Sequence, residues 1–111
     1  MKEFAAKYHA EHLGNCAESV AAAWAEAHGK NIDDVKAQFK ACGAGRAEAG
    51  YCGALYAAMT LHPESRDEIV TKFKLATGGF ALCREIRPAK RLSCNECVAT
   101  AAGILDSLEK A

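Results

Sequence analysis

The sequence carries no surplus of charge: fourteen Lys and Arg are balanced by fourteen Asp and Glu over 111 residues. Without a basic tract, the electrostatic footprint of a nucleic-acid binder is missing. No apolar run approaches the roughly 20 residues needed to span a bilayer. The N-terminus, Met1-Lys2-Glu3-Phe4-Ala5-Ala6-Lys7, puts charges where a signal peptide needs an apolar segment. No segment alternates apolar and polar residues as a half-buried strand would. The glycine-bearing stretch 42–50 leads into no Gly-Lys-Ser/Thr and follows no strand, which excludes a phosphate loop or a dinucleotide fingerprint. These absences leave the expectation of a cytoplasmic, all-helical chain with no nucleic-acid partner and no membrane span.

What the sequence does have is alanine and cysteine. Residues 1–111 suffice for a single domain with a modest core. Half of them are apolar, but 24 are alanines, which favour helices and close packing while burying little area each. Tightly packed short helices of moderate stability are expected, with alanine-rich faces that suit either an internal core or a helix-mediated homodimer. Six cysteines are many for a reducing compartment, where that density points to metal or redox chemistry more than to structural disulfides. The plainer alternative is that cysteine stands in for alanine in a small-residue core.

The periodicity predicts a compact bundle of about five to six short helices. Residues 3–13 form the first, with Phe4, Tyr8 and Leu13 on one side and Gly14 as terminator. Asn15 caps the second, over 16–28, with Glu18 completing a capping box, Val20 and Trp24 as the apolar stripe, and Gly29 ending it. Asn31 or Asp33 opens a third over 33–41, packing through Val35 and Phe39. A fourth covers 52–61 with Leu55, Tyr56 and Met59, and Pro63 closes the connection after it. A fifth spans 65–76 with Ile69, Val70, Phe73 and Leu75 facing inward, stopped by Gly78-Gly79. A short piece over 80–86 ends before Pro88. Ser93 and Glu96 make a second capping box for the last helix, 94–108, with Val98, Ala102, Leu105 and Leu108 inward.

The cysteines fall at particular places in this scheme. Cys16, Cys52 and Cys94 each stand at a helix start, and Cys83 follows a glycine pair. A first-turn sulfur lies near unpaired backbone N–H groups and the positive end of the macrodipole, which favours thiolate over thiol. Cys52, in Gly50-Tyr51-Cys52-Gly53-Ala54, is the expected reactive thiolate because the flanking glycines should expose it. Cys94-Asn95-Glu96-Cys97 is a C-x-x-C at a helix start, so both sulfurs could reach one metal or close a disulfide. Equally, Cys97 reads as a packing residue beside Val98. Val98 also excludes a c-type haem motif, which needs histidine there, and a thioredoxin fold needs strands this chain lacks.

The order Asn15-Cys16, a glycine loop into Cys52-Gly53-Ala54, Cys83 after Gly78-Gly79, and a terminal-helix Cys94 resembles a known family. It is that of the small bacterial and archaeal proteins named for a C-GCAxxG-C-C cysteine pattern and described as redox-active. The likeness covers about residues 15–108, and the four family cysteines would correspond to Cys16, Cys52, Cys83 and Cys94. Ala57 replaces the family's closing glycine, the glycine loop is thinner, and Cys42 and Cys97 are additions. The resemblance implies redox or metal–thiolate chemistry without naming a reaction.

The expected function is therefore thiol–disulfide or electron-transfer chemistry, as in a thiol–disulfide oxidoreductase. Cys52 attacks an oxidised partner protein or small disulfide, and Cys16, Cys83 or Cys94 resolves the mixed disulfide. The alternative is a non-catalytic carrier holding zinc or an iron–sulfur cluster through Cys16, Cys52, Cys83 and Cys94, with Cys97 an optional further ligand. His9 and His12 share a face of the first helix at metal-ligand spacing but read more simply as solvated. His28 suits a helix C-terminus, and His62 a loop. Arg46 and Arg84 could lower nearby thiol pKa values, whereas Arg87 reads as surface charge.

Overall fold

The computed structural model describes residues 2–40, 52–77, 79 and 94–109, the side chains of Cys94, Asn95 and Glu109 excepted. Six short helices make up the described chain: α1 (Lys2–Ala10), α2 (Cys16–Ala27), α3 (Ile32–Ala37), α4 (Gly53–Leu61), α5 (Arg66–Thr77) and α6 (Cys94–Glu109). A single 3₁₀ turn, Pro63–Ser65, joins α4 to α5. The all-α bundle expected from the periodicity is the fold observed. Among the described residues no helix is long and apolar enough to cross a membrane.

Alanine decides the architecture. In α2, Ala17, Ala21, Ala22, Ala23 and Ala25 are buried together with Val20 and Ser19, so this helix presents small side chains on most of its circumference. A helix apolar nearly all round must sit inside, and α2 packs against α1, α3, α4 and α6. Helix α4 is similar, burying Ala54, Leu55, Ala57, Ala58 and Met59, and lies against α2, α5 and α6. The larger side chains that close the core are Phe39, Leu55, Ile69, Phe73, Val98 and Leu105.

The helix ends follow local chemistry. Asn15 accepts from the Glu18 amide at 2.8 Å while the Glu18 carboxylate accepts from the Asn15 amide at 2.9 Å, the expected capping box. The Asn15 side chain also donates to the Lys40 carbonyl at 3.0 Å and so ties the start of α2 to the end of the α3 region. Gly29, at φ +67°, ends α2 as expected, with the Lys30 amide reaching back to the Ala25 carbonyl at 2.8 Å. Asn31, one of the two caps considered, opens α3 by accepting from the Asp34 amide.

Three details differ from the sequence expectation. Helix α1 stops at Ala10, not near Leu13: His12 takes the left-handed conformation (φ 59°), and the Leu13 amide returns to the Tyr8 carbonyl at 3.2 Å. Gly14 therefore terminates nothing; it permits close approach, since a Cβ there would lie 3.0 Å from the Glu18 Cβ and 3.1 Å from the Tyr8 ring. Leu13, past the end of the helix, is exposed. On α5, Ile69 and Phe73 are buried, but Leu75 is 79% exposed and Thr77 takes the inward position four residues after Phe73. Helix α3 is shorter than expected, ending at Ala37, although Val35 and Phe39 are both buried as foreseen. The expected short helix over 80–86 and the Ser93 cap lie outside the described residues.

Candidate functional site: a buried cysteine pair at a helix start

Cys52 is the N-cap of α4, with non-helical backbone (φ −53°, ψ 129°) and its own carbonyl already accepting from the Tyr56 amide at 2.9 Å. Serine, threonine, aspartate or asparagine usually occupies this position, because a side-chain acceptor there meets the unpaired amides of the first turn. Here the acceptor is sulfur. It makes no regular cap hydrogen bond, yet the amides of Leu55 and Ala54 are directed toward it closely enough to favour its charged form. A stronger influence is the Cys97 thiol, which donates to the Cys52 sulfur from the first turn of α6.

The Cys52 pKa is lowered from 9.0 to about 7, with the Cys97 thiol as the first cause and the Leu55 and Ala54 amides behind it. Burial acts in the opposite direction and is overcome. Near neutral pH a substantial share of the pair is thus a thiolate with a thiol donor beside it, the state in which sulfur is nucleophilic.

Both residues lie in the core: Cys52 is 6% exposed and Cys97 3%. The expectation that glycines would expose Cys52 is overturned. Gly53 is a buried helical residue, the first of α4, and the sulfur beside it is enclosed where α4 packs on α6. Neither cysteine is in a disulfide. Tyr56, one turn along α4, meets the buried Phe39 ring edge-on at 6.3 Å, which fixes the end of the α3 region against the same helix.

The other site candidates are placed as follows. Cys16 is the first residue of α2, as expected, half-buried and packed against the core. Cys94 is the first residue of α6; its side chain, like Cys42 and Cys83, lies outside the described residues, as do Arg46, Arg84 and Arg87. Among the described residues, no three His, Cys, Asp or Glu side chains come together to hold a metal. His9 and His12 do not share a helix face, because α1 ends before His12. His28 caps α2 and stacks on Trp24 with ring centroids 4.5 Å apart. The Nδ1 of His62 is buried without a hydrogen-bond partner, 3.8 Å from a Glu64 carboxylate oxygen, an ion pair only when the ring is protonated.

The residue underweighted from sequence was Cys97. Its register gives the signal: four before Ala101, seven before Ile104 and one before Val98, all buried, it faces the core. That reading yields a packing residue, and only the approach of α4 turns it into the neighbour of Cys52. The fold and site thus define an all-α bundle with a buried, acidified cysteine pair at a helix junction. Set against family models, curated proteins and solved structures, the chain matches none of them.

Proposed function

We propose that this is a dithiol redox protein in which Cys52 is the attacking thiolate and Cys97 the resolving thiol. The observation that carries the reading is the Cys97 thiol set against the Cys52 sulfur at the start of α4. A thiolate with pKa near ambient pH combines population with nucleophilicity, and a neighbouring thiol can displace whatever is transferred to it. The resemblance to the C-GCAxxG-C-C proteins supports redox chemistry of this kind, and Cys97 takes the resolving role for which the sequence pointed to Cys16, Cys83 or Cys94. A pair kept reduced between turnovers belongs in a reducing compartment, and the reading places the chain in the cytoplasm.

The test is elemental analysis and a thiol count on protein purified without oxygen, followed by mild oxidation with diamide. The expected result is no stoichiometric metal, paired loss of two thiols, and a proteolytic peptide joining Cys52 to Cys97. Stoichiometric zinc or iron released only when Cys52 is alkylated would replace this reading with a metal site. Persistence of both thiols while other cysteines pair would remove it.

A further inference from the structure

We infer that the oxidant this cysteine pair reduces is a small hydroperoxide rather than a protein disulfide. The inference rests on the dithiol reading and adds the class of substrate.

Accessibility carries the argument. A thiolate attacks a disulfide in line with the S–S bond, so the leaving sulfur, its carbon and the chain behind it must all fit on the far side. With Cys52 6% exposed and Cys97 3% exposed, burial among the described residues works against that approach. The mixed disulfide that follows would also put a peptide-sized group on an enclosed sulfur, next to the close-packed α4–α6 contact. A hydroperoxide has no such requirement. Its attacked oxygen is about the size of a water molecule, and the first product carries one extra oxygen only.

The steps balance on the two residues present. The Cys52 thiolate attacks the terminal peroxide oxygen, a sulfur–oxygen bond forms, the O–O bond breaks, and hydroxide (or an alkoxide) departs. Sulfur is oxidised by two electrons and the peroxide is reduced by two. The leaving oxygen takes the proton of the adjacent Cys97 thiol and departs as water or alcohol. Cys97, now a thiolate, attacks the Cys52 sulfenic sulfur and expels hydroxide as the disulfide forms. The same Cys97 proton that favours the Cys52 thiolate beforehand is thus the one the leaving group needs. Because the resolving thiol is already in contact, the sulfenic acid need not wait for a second protein.

The experiment uses the full reduced chain without oxygen, mixed separately with hydrogen peroxide and with glutathione disulfide near pH 7. Formation of the Cys52–Cys97 disulfide is followed by acid quench and mass spectrometry, and each rate is divided by that of free cysteine with the same oxidant. The normalised peroxide rate should exceed the normalised disulfide rate by at least about tenfold. In a Cys97→Ser variant, which keeps a hydroxyl donor and cannot resolve, dimedone added together with denaturant after the peroxide treatment should label Cys52. A normalised disulfide rate equal to or above the peroxide rate would overturn the inference and leave the dithiol reading standing. Dimedone labelling that appears first on Cys16 or another cysteine would also overturn it. If neither oxidant nor diamide joins Cys52 to Cys97, the dithiol reading itself fails.

Discussion

Cys52 shows how one atom can be made acidic inside a core. Burial by itself raises a thiol pKa, so the lowering to about 7 requires donors that outweigh the lost water. Removing the first of them is the direct check: in Cys97→Ala, the pH midpoint for alkylation of Cys52 should move up toward 9, while Cys97→Ser, with a hydroxyl donor, should move it less. Mass-spectrometric alkylation profiles across pH 6–10 read this out, and an unchanged midpoint in Cys97→Ala would assign the acidity to the α4 amides alone. His12 makes a different point at the same scale. It holds a left-handed conformation that costs an L-residue roughly 1–2 kcal/mol. Replacing it with glycine should raise the melting temperature, offset in part by the greater freedom of the unfolded chain. A lower melting temperature would mean that the His12 side chain contributes more than its backbone costs.

At the scale of elements, α5 separates packing from hydrophobicity. Phe73 and Leu75 are both apolar and two positions apart, but Phe73 is fully buried and Leu75 lies in solvent. Phe73→Ala should cost about 3–5 kcal/mol, a large part of the stability of a small domain. Leu75→Ala should fall within about 0.5 kcal/mol of wild type. Denaturant midpoints for the two variants make the comparison, and similar losses would contradict the placement of α5. The start of α2 is a second such case. Asn15 both caps its helix and holds the Lys40 carbonyl, so Asn15→Ala should lose about 1 kcal/mol for the cap alone. Any loss beyond that, compared with Glu18→Ala, reports the tie to the α3 region.

For the whole molecule, the thiol makes stability depend on pH. Between about 7 and 9, the native Cys52 has lost its proton and the unfolded one retains it. The unfolded state then binds more protons, so stability rises with pH. This contribution is fully present above about 9 and is lost as pH falls through about 7. The reduced protein should therefore gain stability between pH 6.5 and 9 relative to Cys52→Ala, by the difference of their denaturant midpoints; parallel curves would contradict the lowered pKa. Oxidation should act on the same global quantity. A disulfide between Cys52 and Cys97 closes a long segment of chain, for which the loss of unfolded-state entropy is worth about 4 kcal/mol before any strain. The oxidised form should melt higher than the reduced form by calorimetry, and a lower melting temperature would mean that the closed pair strains the α4–α6 junction.

The sequence by itself determined the six described helices and most of their ends. Helix periodicity, the Asn15–Glu18 box and Gly29 are interactions among residues a few positions apart, so the information is local. Cysteines at the starts of α2, α4 and α6 were legible for the same reason. What lay beyond it was set by helices meeting. Leu75 turns outward and Thr77 inward because α5 packs against α4 and α6 along a line that its apolar residues alone do not define. Gly14 reads as a helix stop until the Tyr8 ring and Glu18 are seen against it. Cys97 reads equally as the second half of a C-x-x-C with Cys94 or as a packing residue until α6 brings it to the Cys52 sulfur. A thiol's acidity depends on donors within a few ångströms and on exclusion of water, and here the foremost donor comes from another helix, so only the tertiary structure could decide it.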